Sequence, residues 1–277
     1  MTADRIKLIV TDLDGTLLDG SGKVPESAKT ALKKAKSSGL SLMVATGRSY
    51  EEALPYASAA GADSGFVLLT GALIADAAGR TVSLSAISGA DAEAVARITE
   101  EYSGVYAEIY TGDSLYVKGR ELIDTLNVPV EYSEYIKSEG IPAEELSKTA
   151  RRTGALKFFI LTNDPDDLAE MRGRISGISG VTCVSSIKNG IEVVKKGVDK
   201  GAALGRMMDE LGLRRCEVAV IGDSENDMGM FEKAGLRIAM GNAIKELRDM
   251  ADYVARSHDC GGISDAVAFI LSRAARA

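Results

Sequence analysis

Short, almost continuously apolar runs alternate with amphipathic stretches along this chain, and the runs stop abruptly at polar residues. Ile6-Lys7-Leu8-Ile9-Val10-Thr11 halts at Asp12-Leu13-Asp14-Gly15-Thr16. Leu40 to Ala45 halts at Thr46-Gly47-Arg48, and Glu217 to Ile221 halts at Gly222-Asp223-Ser224-Glu225-Asn226-Asp227. Runs this short, with so few polar interruptions, read as strands of a parallel sheet buried on both faces. Between them the apolar spacing predicts helices over 25–38 and 50–60, with Gly39 and Gly61 just past their ends, where a left-handed cap belongs. A further strand is expected over 65–69. Val198-Asp199-Lys200-Gly201-Ala202-Ala203-Leu204 places a lysine at the start of another amphipathic helix.

The pattern changes between about Ser83 and Lys188. Strand-like segments at 105–110, 115–118 and 156–161 sit there among helices such as 91–102. Most of the aromatic residues gather in this stretch, and packing of a small sheet against its helices is the ordinary explanation for them. After Ile191 to Val194 the core pattern is expected to return, to finish with 236–240 and a helix near 263–273. The expected fold class is therefore α/β: a doubly wound parallel-sheet, Rossmann-like core over 1–82 and 189–277, with a smaller α+β cap inserted over 83–188. Two linkers that can act as hinges would join them.

In open sheets of this kind ligands bind beyond the carboxyl ends of the strands, so Asp12, Thr46 and Asp223 are candidates for one crevice. Asp12 and Asp14 are one residue apart, and carboxylates so close repel each other unless a cation or a proton lies between them. Magnesium suits such a site, because it takes hard oxygen ligands and substrate phosphate; zinc would call for His or Cys. Plainer readings exist for each residue. Asp-Leu-Asp-Gly-Thr can be a strand ending in a turn, Thr46 a helix N-cap, Asp227 an orienting group for Lys200 or its loop, and Asn226 the closure of its own turn. Arg48 can sit in solvent. His258 is the only histidine, which is poor support for a catalytic base.

Four motifs, DLDGT at 12–16, ATGR at 45–48, DKGAAL at 199–204 and GDSENDMGMF at 222–231, stand together in an order and spacing that resemble the haloacid-dehalogenase-like phosphatases. The likeness is to the Cof-type group with a large inserted cap, and it spans nearly the whole chain. Ala239-Met240-Gly241-Asn242-Ala243 and the tail around Gly261-Gly262-Ile263 fit the same group. The resemblance implies that Asp12 is the nucleophile, forming an aspartyl-phosphate, and that Asp14 is the general acid and then the general base. It implies a magnesium site made by Asp12, the backbone carbonyl of Asp14, Asp223 and Asp227, the last direct or through water. Thr46, Gly47, Lys200 and Asn226 become the phosphate-binding set. Two segments depart from the group. Thr70-Gly71-Ala72 stands where relatives often read Asn-Gly-Ala, and Ser257-His258-Asp259-Cys260-Gly261 replaces a more usual Asn-and-acid pattern.

Composition narrows the partners. A length of 277 residues with 45% hydrophobic content is enough for one good core and a smaller second domain. The formal net charge of −7, with no block of Lys and Arg, argues against nucleic acid. No run approaches the ~20 apolar residues of a membrane span, and residues 1–7 lack a signal-peptide core, so a cytoplasmic location is expected. Cys183, Cys216 and Cys260 are odd in number and far apart, which predicts reduced thiols with no metal role. The expected activity is magnesium-dependent hydrolysis of small phosphorylated metabolites, such as sugar phosphates or phosphoglycolate, by a monomer or homodimer. A hexose phosphate mutase and a catalytically silent metabolite-binding relative are the alternatives. Arg151, Arg152, Lys157 and Lys188 are cationic candidates for substrate contact, each more simply read as a surface residue.

Overall fold

The computed structural model describes residues 6–126 and 128–274. The chain opens with strands β1 (Leu8–Thr11) and β2 (Ser41–Ala45), separated by helix α1 (Glu26–Ser37). Helix α2 (Tyr50–Ala60) and strands β3 (Phe66–Leu68), β4 (Leu73–Ala75) and β5 (Thr81–Leu84) follow. Next come α3 (Gly89–Glu100), β6 (Tyr106–Tyr110), β7 (Leu115–Lys118), α4 (Val130–Glu139), β8 (Ile141–Pro142) and α5 (Leu146–Thr153). They lead to β9 (Lys157–Leu161), α6 (Pro165–Ser176), β10 (Val181–Val184) and β11 (Gly190–Lys195). The last stretch is α7 (Lys200–Glu210), β12 (Val218–Gly222), α8 (Met228–Lys233), β13 (Leu236–Ala239), α9 (Lys245–Met250), β14 (Tyr253–Val254) and α10 (Gly262–Ala274).

These elements form two compact units, one from the chain up to Ser83 together with the chain from Asp199, the other Leu84–Val198. The first unit is built on an eight-stranded sheet in the order β14-β13-β12-β1-β2-β3-β4-β5. From β14 to β3 neighbouring strands are parallel, and β4 returns antiparallel. The apolar runs bury both faces. Ile9, Leu42, Val44, Ala219 and Ile221 pack with α1, α2 and α10 on one side, while Leu8, Val10, Met43, Val218 and Val220 pack with α7, α8 and α9 on the other. Alternate residues of one strand thus go to opposite helical layers, which is why these strands carry no polar stripe. The sheet is doubly wound, as the sequence led one to expect.

Register decides what lies at the strand ends. Thr11 is paired with Ile221 on one side and with Val44 on the other. The next residues along the three strands, Asp12, Gly222-Asp223 and Ala45-Thr46, therefore emerge side by side at the carboxyl edge.

The second unit has a six-stranded sheet in the order β10-β11-β9-β6-β7-β8. One face packs Ala107, Ile109, Phe158, Ile160, Ile191 and Val193 against α3, α5 and α6. Across the opposite face run Glu108, Phe159 and Glu192 in register. Three expectations are corrected here. The segment Ile191–Val194 does not return to the first sheet; it is the centre of β11, paired with β9 and β10, so the unit ends at Val198 and not at residue 188. The earlier junction falls after Ser83, one residue later than expected. Lys157 is not a surface cation: it is buried and pairs with buried Glu192 at 3.1 Å. Arg151, Arg152 and Lys188 are exposed, Arg151 in an ion pair with Glu93. Cys183, Cys216 and Cys260 are free thiols, and among the described residues no helix is long and apolar enough to cross a membrane.

Candidate active site

At the end of β1 the backbone turns sharply. Asp14 is extended at φ −76° and ψ 120°, and Gly15 takes φ +77°, a region that only glycine enters without strain. A second reason for glycine is space: a Cβ at position 15 would lie 2.4 Å from Asp223 Oδ2. The turn thus lets the DLDGT loop approach the loop after β12. Thr16 Oγ1 then donates to Asp223 Oδ1 at 2.8 Å.

Helix α7 brings the cation. Asp199 caps its N-terminus by accepting from the Ala202 amide at 2.7 Å, so Lys200 occupies the first helical position. The helix start sits against α8 with no side chain between them, since a Cβ on Gly201 would lie 2.2 Å from the Gly229 backbone. Lys200 is fully buried, and its Nζ stands 2.7 Å from Asp12 Oδ1 and 2.7 Å from Asp227 Oδ1. The other oxygen of Asp227 accepts the amides of Asp223 and Ser224, at 2.9 and 3.1 Å. Asp227 therefore holds both the lysine and its own loop, as one of the plainer readings had it. Asn226 is buried in the same loop, where its Oδ1 accepts from Ser224 Oγ at 3.0 Å.

Asp12, Asp223 and Asp227 each present an oxygen within 4.8 Å of the others. Three carboxylates face one ammonium, an excess of negative charge in a buried place. Burial raises the Asp12 pKa well above the usual carboxylate range, with Lys200 opposing and Asp227 and Asp223 adding to the rise. Asp223 is pushed up to about 7, first by burial and then by Asp227. Burial works against the charge of Lys200, but Asp12 and Asp227 outweigh it and hold its pKa above the ordinary value. The lysine keeps its proton, and the carboxylates are left in want of a cation. The donor set is all hard oxygen, with no His or Cys, and fits a divalent ion such as magnesium.

The loop after β2 supplies the rest. Thr46 is fully buried and does not cap α2; Ser49 does, in a capping box in which Ser49 N donates to Glu52 Oε2 at 2.9 Å. Thr46 Oγ1 instead accepts the Arg48 amide at 3.2 Å. Gly47 follows, partly exposed, at the carboxyl edge. Arg48 reaches across to the DLDGT loop and grips both oxygens of Asp14, at 2.6 and 2.8 Å. The side chain of Asp14 thus points to Arg48 and is not among the three clustered carboxylates.

Two partners went without a role in the sequence reading. Thr16 lies inside the DLDGT motif. Asn242 donates to the Gly15 carbonyl at 2.8 Å and to Asp223 Oδ2 at 3.4 Å, while its Oδ1 accepts the His258 amide at 3.1 Å. Its place in the MGNA match was the available signal.

Residues 9–267 match the family model described as haloacid dehalogenase-like hydrolase. The chain belongs to that family. It is 28% identical to phosphatase YwpJ of Bacillus subtilis, over 96% of this chain and all of that one. It is also 28% identical to the B. subtilis 5-amino-6-(5-phospho-D-ribitylamino)uracil phosphatase YwtE, over 96% of this chain and 99% of the relative. A solved haloacid dehalogenase-like hydrolase from B. subtilis superposes with a TM-score of 0.83 at 26% identity, covering 95% and 99% of the two chains. The Cof-type resemblance holds, and the protein is a phosphoric monoester hydrolase of this family.

Proposed function

We propose that this hydrolase is a magnesium-dependent phosphatase of small phosphorylated metabolites, acting through an aspartyl-phosphate on Asp12. The observation that supports the reading is the buried Lys200 lying 2.7 Å from Asp12, beside Asp223 and Asp227 at the carboxyl ends of adjacent strands. A carboxylate attacks phosphorus without prior deprotonation, which suits Asp12 to the role. As its oxygen bonds to phosphorus, the bond to the leaving alkoxide breaks and Asp14 gives that oxygen its proton. Asp14 then takes a proton from water, whose oxygen displaces Asp12 and releases inorganic phosphate. Lys200, the Thr46 hydroxyl and the Gly47 amide hold the phosphoryl oxygens, with Asn226 supporting the loop beside them. Asp12, Asp223 and the Asp14 carbonyl, with Asp227 direct or through water, would hold magnesium, which supplies the charge that screens carboxylate from phosphate.

The YwtE relative is named for a phosphate ester on an open-chain sugar alcohol. Sugar phosphates and similar alkyl phosphates are accordingly the class proposed here. Three free thiols suit a reducing compartment such as the cytoplasm. The test is phosphate release over a panel of phosphorylated metabolites, with and without magnesium, beside Asp12→Asn. Turnover of at least one sugar phosphate is expected with the ion, falling at least about a thousandfold in the variant. Undiminished hydrolysis in Asp12→Asn refutes the nucleophile.

A further inference from the structure

Asp14 stands on a turn with its carboxylate about half exposed, yet both of its oxygens are tied to one guanidinium. An aspartate in such a place has several staggered rotamers open to it, and a two-point grip selects one. The arginine is itself well held. Only 16% of the Arg48 side chain is exposed, and its guanidinium lies 4.9 Å from the centroid of the Tyr56 ring. The Arg48 amide donates to Thr46 Oγ1, and its carbonyl accepts the Leu69 amide at 3.0 Å. Exposed ion pairs between flexible side chains contribute little, but this one joins a largely covered, planar donor to an acceptor 34 residues away on a neighbouring strand-end loop. Such a pair ties the position of one loop's side chain to the other's backbone.

We propose that Arg48 is a positioning residue: it aims the Asp14 carboxyl at the leaving oxygen, keeping one of its two bonds when the other Asp14 oxygen carries the proton to be passed on. The inference rests on the role given to Asp14 in the preceding reading. It singles out the one step in which that proton matters, since an alkoxide needs protonation to depart and a nitrophenolate does not. A side chain that merely bound the phosphate would act on both kinds of ester alike.

The experiment compares kcat/KM for p-nitrophenyl phosphate and for an alkyl phosphate, glucose 6-phosphate, in wild type, Arg48→Ala, Arg48→Lys, Asp14→Asn and Arg48→Ala/Asp14→Asn. The ratio of alkyl to aryl kcat/KM is expected to fall at least about tenfold in Arg48→Ala, within the range that general acids contribute. Lysine keeps the charge and loses the fork, so Arg48→Lys is expected between the two. In the Asp14→Asn background, removing Arg48 changes the ratio no further. Thermal melting of each variant shows that it is folded. Equal losses on both esters in Arg48→Ala and Arg48→Lys, or an additive double variant, overturn the assignment of Arg48. A wild type that hydrolyses neither these two esters nor any alkyl phosphate of the metabolite panel overturns instead the phosphatase reading beneath it.

Discussion

Lys200 shows most clearly how the site is held together. A fully buried ammonium is costly unless paired, and this one has a carboxylate 2.7 Å away on either hand. Removing one partner of such a group typically costs about 3–5 kcal/mol, because the remaining charge stays buried. The carboxylates are in excess, however, so their removal is not equivalent. In magnesium-free buffer Lys200→Met is expected to lower stability by about 3 kcal/mol or more, while Asp12→Asn leaves it unchanged or raises it, because burial already disfavours the ionised Asp12. Urea melts of the two variants against wild type make the comparison; equal losses would refute the charge-excess account. At this scale much was legible. Asp12 and Asp223 stand out because apolar runs stop at or just before them, and Lys200 because it opens an amphipathic helix. The grip of Arg48 on Asp14 and of Asn242 on Gly15 could not, since a hydrogen bond spanning 34 or 227 residues leaves no period in the sequence.

Strands set these groups at one edge, and the loop after β3 braces them. Leu69 and Thr70 both have positive φ, 48° and 58°, and their amides donate to the carbonyls of Arg48 and Thr46. The left-handed region is strained for a β-branched residue and much easier for asparagine, whose side chain tolerates it. Thr70 therefore occupies a conformation that the Asn more usual in the group would adopt at less cost. Thr70→Asn is expected to stabilise the first unit by about 1 kcal/mol, read as a rise of about 2–4 °C in its melting temperature. A fall would mean that contacts of the buried threonine outweigh its backbone strain. The sequence could flag position 70 as a departure, but only the backbone angles give it a physical meaning. Element limits followed apolar periodicity closely: α2 is found over the expected residues, and β1 and β2 lie within their runs. β11 was misplaced because Gly190–Lys195 pairs in an antiparallel sheet but is buried over most of its length, and its apolar run resembles those of the parallel core.

Over the whole molecule the site carboxylates are part of a formal net charge of −7, and pH separates the local effect from the general one. The Asp223 carboxyl titrates at about 7, against an ordinary value of 3.8, chiefly because it is buried and next because Asp227 is near. Between these values the folded protein keeps a proton that the unfolded chain has released. Stability from this group is therefore complete below pH 3.8 and is lost as the pH rises through about 7. Other carboxylates act the other way: Glu217, held near 2 by Arg214 and Lys7, contributes stability above its unfolded range and loses it only in strong acid. Melting wild type and Asp223→Asn side by side cancels such common terms. In magnesium-free buffer the wild type is expected to lose more stability than the variant between pH 5.5 and 8.5. Magnesium at pH 8.5 is expected to restore wild type and not the variant, with weaker binding at pH 6 because a proton competes for the same carboxylate. Parallel pH slopes for the two proteins would show that Asp223 releases its proton as readily in the fold as in the unfolded chain, and the buried excess of negative charge would lose its main support.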